Sequence, residues 1–280
     1  MLIFSAPLHC FRKTRAFRFL AASSLNVPRL YDLGFEHKVA LRTITHASIL
    51  LGRNKLEPMI RSLVIGICEE LNQLGLSRCV LDVGANVGLY TWEISKICPN
   101  LKILSFEPDP NNFELLQMTH EASGSKNIEL YSFALSNQSI EKDFRQDELT
   151  SATGSLSIND KPWIEQYLKG TSKNIKVQTR TLDQMLEEGK IPALVKIDVE
   201  GHENEVLEGG LQTIKISKPI MIIESFPPRQ ERVVKTLDDI GYQIYDADRL
   251  SSIQNGTCNL FAWHPHGPIK PSKIEKFLCL

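Results

Sequence analysis

Residues 196–203 read "KIDVEGHE" and place Asp198, Glu200, His202 and Glu203 in one short stretch. If the first half is a strand, alternation puts Ile197 and Val199 on one side and Asp198 and Glu200 on the other. A carboxylate or imidazole held there can orient a hydroxyl and remove its proton, which is the general-base task in a displacement at oxygen. Asp198, Glu200 and His202 are therefore the candidate catalytic residues. Glu200 and Glu203 also suit the N-terminus of a following helix, where acids are stabilised.

A second stretch, "CVLDVGANVGLYTWEIS" (residues 79–95), has another chemistry. An apolar run interrupted only by Asp82 leads into Gly84-Ala85-Asn86-Val87-Gly88, a turn with small side chains, and then into a pattern that predicts a helix. Such a strand–turn–helix junction lets a ligand touch backbone. It lacks the Gly-Lys-Ser/Thr ending of a triphosphate loop and the middle glycine of a dinucleotide fingerprint. Asp82 beside the turn suits a ligand with an ammonium group and a nucleoside better than one with a diphosphate. Glu107 follows Gly88 by nineteen residues and ends the next predicted strand, where an acid can accept both ribose hydroxyls. Pro108 and Pro110 stiffen its exit.

These residues need a scaffold, and the pattern supplies one. Predicted strands at 79–83, 101–107, 128–136, 193–201 and 219–226 alternate with predicted helices. That order implies a mostly parallel sheet with helices on both faces and ligands beyond the carboxyl ends of the strands. Glu107, Asp198 and Glu224 all lie at such ends. Hard oxygen ligands from Asp198, Glu200 and Glu224 would suit magnesium, but separate strand ends are not a metal signature, and no metal site is assigned. The Ser-, Thr- and Gly-rich stretch "DELTSATGSLS" is a surface loop or insertion that could line an acceptor pocket. Arg180 is a further candidate for acceptor contact.

At this point "VLDVGANVGLYT", "SFEPDPNNFELL", "ELYSFALS", "VKIDVEGHENEVLEGG" and "IMIIESF" resemble, in order, the motifs of the FkbM-type family of S-adenosylmethionine-dependent O-methyltransferases. The resemblance runs from about Cys79 to about Asp246. It implies a Rossmann-like class I α/β fold whose seven-stranded sheet has an antiparallel last strand. It implies S-adenosyl-L-methionine as cofactor, bound through Asp82, Gly84, Asn86 and Gly88 at the turn. Glu107 would take the ribose, with Pro108, Ala134 and Leu135 near the adenine. The implied acceptor is a hydroxyl of a sugar, glycan or secondary metabolite. The rival readings are a nicotinamide-dependent dehydrogenase, disfavoured by the missing glycine, and a non-catalytic binder, disfavoured by the intact acids.

The totals agree with one large domain. The chain has 280 residues and a net charge of −1 from 32 basic and 33 acidic residues, which gives no electrostatic reason for a nucleic-acid partner. No apolar run is long enough to span a bilayer. Six scattered cysteines (Cys10, Cys68, Cys79, Cys98, Cys258, Cys279) read as reduced thiols and point to the cytoplasm. Residues 1–31, with Arg12, Lys13, Arg15, Arg18 and Arg29 before the first acid, read as a loosely docked basic arm. That composition also fits a targeting or membrane-surface segment. Residues 32–75 read as a helical lead-in, from Leu56, Ile60, Leu63, Val64, Ile67 and Leu71 at helical spacing with Gly75 as the stop. The methyltransferase-like domain is expected over 76–264, with a tail over 265–280.

Overall fold

The structure is a computed structural model and describes residues 11–12, 14–34, 37–52, 57–157 and 172–278. The N-terminal part contains α1 (Arg15–Ala21), the antiparallel pair β1 (Pro28–Tyr31) and β2 (Val39–Arg42), α2 (Ala47–Gly52) and α3 (Pro58–Leu74). The alternating units follow as β3 (Cys79–Val83), α4 (Leu89–Ile97), β4 (Lys102–Phe106), α5 (Pro110–Ser123), β5 (Ile128–Tyr131) and β6 (Ala134–Leu135). Next come β7 (Glu141–Asp147), β8 (Ser172–Arg180), α6 (Leu182–Glu187), β9 (Pro192–Ile197), α7 (Glu203–Glu208) and α8 (Leu211–Ser217). The last elements are β10 (Ile220–Glu224), α9 (Arg229–Asp238), β11 (Gln243–Asp246), β12 (Asn259–Trp263) and α10 (Pro271–Leu278).

The main sheet has seven strands in the order β11-β12-β10-β9-β3-β4-β5. The pairs β10–β9, β9–β3, β3–β4 and β4–β5 are parallel, and β12 runs antiparallel to both neighbours. Strand order reverses between β3 and β9, so their carboxyl ends flank the crevice where such sheets take ligands. Alternation divides the core in two. Val80, Ile103, Leu194 and Ile222 pack with α3, α4 and α5 on one face, whereas Leu81, Leu104, Val195 and Met221 pack with α6 to α9 on the other.

Several elements differ from the sequence reading. The lead-in is not wholly helical: β2 lies within it, and Ala40 N donates to Thr119 Oγ1 of α5 at 2.8 Å. Leu56 lies outside the described residues, while Ile60, Leu63, Val64, Ile67 and Leu71 are buried as their spacing predicts. The arm is docked from Phe11 onward, with Phe17 buried against Leu149 and Ile44. The tail forms α10, which buries Ile274 and Leu278. The stretch "ENEVLEGGLQTI" is two helices, because Gly209 meets the Ser136 backbone so closely that a Cβ would lie 2.0 Å from its carbonyl oxygen. The polar run "EKDFRQD" is the strand β7, set by antiparallel pairing with β8 across the segment between them. Cys68, Cys79, Cys98 and Cys258 are free thiols, and Cys10 and Cys279 lie outside the described residues.

Candidate active site

The glycine turn leaves β3 where β9 is closest. Gly84 has φ +79°, and a Cβ on it would lie 1.8 Å from the Asp198 carbonyl oxygen. Only glycine lets the two strand ends approach this closely. Gly84 and Ala85 donate their backbone N–H groups to the Phe106 carbonyl, each at 3.0 Å, which ties the turn to the end of β4. Asn86, also left-handed, donates its N–H to Glu107 Oε2 at 2.7 Å, and Asp109 N donates to Oε1 at 2.8 Å. Glu107 is thus fixed by two backbone donors. Burial, with the nearby Asp109 charge, pushes its carboxyl up to about 8 despite those donors.

One wall of this cleft comes from the stretch read as a loop. Asp147 at the end of β7 accepts from Leu149 N at 2.8 Å and Thr150 N at 2.9 Å, and from the hydroxyls of Thr150 and Thr153. The turn so formed presents the Ser151 carbonyl, which accepts from Asn86 Nδ2 at 3.1 Å and Asn112 Nδ2 at 2.8 Å. Gly84, Asn86, Glu107, Pro108, Asp109, Asn112, Ala134, Leu135, Ser151 and Ala152 therefore face one cleft, together with Asp198, Glu200 and His202.

Asp198 joins that cleft to a smaller one, lined by Glu57, Tyr90, Lys196, Asp198, Glu224 and Asn259. Ile197 pairs with Ile223, so Asp198 and Glu224 leave adjacent strands side by side. Carboxylate oxygens of Asp198, Glu200 and Glu224 lie within 4.8 Å of one another. Lys196, buried in β9, donates to Asp198 Oδ2 at 3.2 Å, and its ammonium sits 4.7 Å from the centre of the Tyr90 ring. Tyr90 donates to Glu57 Oε2 at 2.7 Å. Desolvation opposes the charge on Asp198, but the Lys196 charge and hydrogen bonds from Glu224 and Lys196 together offset it and hold that carboxyl below its usual range. The Asp198 charge, with burial, pushes Glu224 well above the carboxylate range, so Glu224 carries a proton beside it.

Nine of the eleven residues singled out from sequence line the larger cleft. Asp82 and Gly88 do not. Asp82 is buried on the α4 side, accepts from Thr91 Oγ1 at 2.7 Å, and lies in register with Lys196. Gly88 begins α4 at φ +81°, where a Cβ would lie 2.5 Å from Trp92 Nε1, so that glycine serves helix packing. His202 faces the cleft, but its Nε2 is engaged with Ser136 Oγ at 2.9 Å, and burial, then Lys142 and Arg229, pushes its pKa down to about 4. It is a neutral wall residue with Nε2 already engaged. Arg180 pairs with Glu188 and lies over the Phe133 ring, away from both clefts. Sequence reasoning missed Asp109, Asn112, Tyr90 and Glu57. Asp109 follows Glu107 by two positions, a local signal; the others reach the site only through the fold.

The strand order and the glycine turn at the switch point define a class I methyltransferase fold. The methyltransferase FkbM domain matches residues 82–244, more than half of the chain, and the chain belongs to that family. It is 30% identical over 133 residues to the hexuronic acid methyltransferase AglP of Haloferax volcanii, a match covering 46% of this chain and 48% of that protein. It is 24% identical over 215 residues to methyltransferase sdnD of Sordaria araneosa, covering 63% of this chain and 78% of that one. Among solved structures it is similar to methyltransferase FkbM of Methylobacillus flagellatus, at 17% identity and TM-score 0.45, over 67% of this chain and 44% of that chain. The match thus spans about half the length of the first of these relatives. No helix among the described residues is long and apolar enough to cross a membrane.

Proposed function

We propose that the protein transfers a methyl group from S-adenosylmethionine to a hydroxyl of a sugar. One observation carries the cofactor reading. Asn86 Oδ1, Asp109 Oδ2 and Asn112 Oδ1 are buried acceptors without a partner, and all three residues line the larger cleft. Buried polar atoms without partners are costly, so this cleft fits a ligand rich in N–H and O–H donors. S-adenosylmethionine has an amino group, an ammonium and two ribose hydroxyls. A dinucleotide would bring a diphosphate into the cleft beside the ionised Asp198, where like charges repel.

When bound, the cofactor supplies an electrophilic methyl carbon on a sulfonium sulfur. Glu107 accepts ribose hydroxyls while its two backbone donors keep it in place. Pro108, Ala134 and Leu135 form the apolar side of the cleft. Asp198, kept ionised by Lys196, accepts the proton of the attacking hydroxyl. A low-pKa carboxylate suffices, because an alcohol oxygen gaining a methyl becomes strongly acidic as the new bond forms. Glu224, neutral beside Asp198, can donate a hydrogen bond to the acceptor. AglP, named for a hexuronic acid, supports a sugar acceptor. Glu57, Asp198 and Glu224 line the smaller cleft, and these acids favour a neutral hydroxyl-bearing end over a carboxylate there.

The test is incubation of the purified protein with methyl-labelled S-adenosylmethionine and a panel of neutral sugars and glycans, read by mass spectrometry. Asp198→Asn keeps the shape and removes the base. It should slow transfer on the order of 10²-fold with cofactor-product affinity unchanged. Wild-type turnover by that variant would remove Asp198 from the mechanism, and binding of NAD without binding of the cofactor would end the methyltransferase reading.

A further inference from the structure

Five of the fourteen exposed large apolar side chains among the described residues fall between positions 11 and 30: Phe11, Phe19, Leu25, Val27 and Leu30. Phe19 is 75% exposed and Leu25 65%. Singly exposed apolar residues are ordinary, but a run of them on one short segment is not. The segment is held firmly. Phe17 is buried on Leu149, Arg12 donates to Thr45 O and Ser48 Oγ, and Asn26 bridges Ala21 O to Thr45 Oγ1. Its backbone is anchored while these apolar side chains face outward.

The charges carried by the segment itself share one sign. Arg15 and Arg29 are exposed and Arg18 is half-exposed, and residues 11–31 contain no acid; the first is Asp32. Aromatic and aliphatic side chains interleaved with arginines, with no acids, match a surface that is apolar within and anionic at its head groups. A protein groove would need no such uniform charge, and a nucleic acid would leave Phe19 and Leu25 without apolar partners. We propose that α1 and β1 form a docking face for an anionic phospholipid bilayer. Through Phe17 and Leu149 this face lies on the outer side of the Asp147 turn that walls the cleft.

Co-sedimentation of the full chain with vesicles tests this. Wild type should pellet with phosphatidylcholine vesicles containing phosphatidylserine and be released by high salt. Phe19→Glu combined with Leu25→Glu should stay in the supernatant. Arg15→Gln combined with Arg29→Gln should weaken partitioning about 25-fold, from about fivefold per basic residue near an anionic surface. Unchanged affinity of both double variants for S-adenosylhomocysteine shows that they are folded. The proposal is overturned if wild type ignores the anionic vesicles, if it pellets equally with phosphatidylcholine alone, or if both double variants pellet like wild type.

Discussion

Glu107 should make cofactor binding depend on pH. Its carboxyl already accepts from Asn86 N and Asp109 N, and only the ionised form can keep both bonds and still accept two ribose hydroxyls. Burial raises it to about 8, so in the ligand-free protein about one molecule in ten is ionised at pH 7. If the ionised form is the competent one, apparent affinity falls by that fraction. Titration calorimetry with S-adenosylhomocysteine should find affinity about tenfold weaker at pH 7 than on the plateau near pH 9, or about 1.4 kcal/mol. Glu107→Gln keeps the size but turns an N–H donor toward a backbone donor. It should bind about 1–3 kcal/mol more weakly on the plateau, with a flat profile. The same carboxyl has a linked effect on stability. Its folded value lies above 4.5, so the contribution is fully present below 4.5 and is lost as pH rises through about 8. Melting temperature of the ligand-free protein should fall across that window more steeply than in Glu107→Gln. A flat wild-type affinity profile, or an equal slope in the glutamine variant, would refute this reasoning.

Other residues give sharper structural outcomes. Lys196→Met leaves Asp82 and Asp198 without their shared cation and should cost about 3 kcal/mol in denaturant unfolding; a loss under about 1 kcal/mol would mean that the pair is solvent-screened. Gly84→Ala should fail to reach the native fold, because its Cβ would overlap the Asp198 carbonyl; a normally melting variant with intact cofactor affinity would contradict the packing. Phe17→Ala should lower stability by about 3 kcal/mol, the low end for a buried aromatic in a small cluster. An unchanged melting curve would show that the arm is only loosely attached.

Whether a feature could be read from sequence depended on how far its cause lies along the chain. Gly84, Glu107 and Asp198 sit at strand ends, and strand, turn and helix follow from residues within a few positions, so the crevice at β3 and β9 was legible before any coordinates. The strand β7 was not, since "EKDFRQD" has little strand character and owes its state to β8, with Lys176 and Asp143 paired across at 2.9 Å. The docking of the arm leaves no period in the sequence, since it rests on one buried phenylalanine, Phe17, and on hydrogen bonds from Arg12 and Asn26. The packing demand on Gly88 is equally hidden in the motif, since it comes from Trp92, one helical turn on.

Charge state was the least legible property, and the chemistry depends on it. Asp198, Glu200 and Glu224 are the same functional group at neighbouring strand ends, and nothing local distinguishes a base from an acid. Lys196, two residues before Asp198 on the same face of β9, holds Asp198 ionised. The charge on Asp198, reached through the β9–β10 pairing, keeps the proton on Glu224. Roles within such a set are therefore assigned by pairs and not by residues. Replacing Lys196 should disturb Glu224 as well as Asp198, although α7 and α8 separate Lys196 from Glu224 in the chain. With its cation gone, Asp198 binds a proton more readily, and the two carboxyls should then titrate as a shared pair. Carboxyl resonances followed by NMR across pH would show Asp198 taking up its proton at higher pH in Lys196→Met than in wild type. Identical titrations in the two proteins would mean that Lys196 does not set the charge of this site.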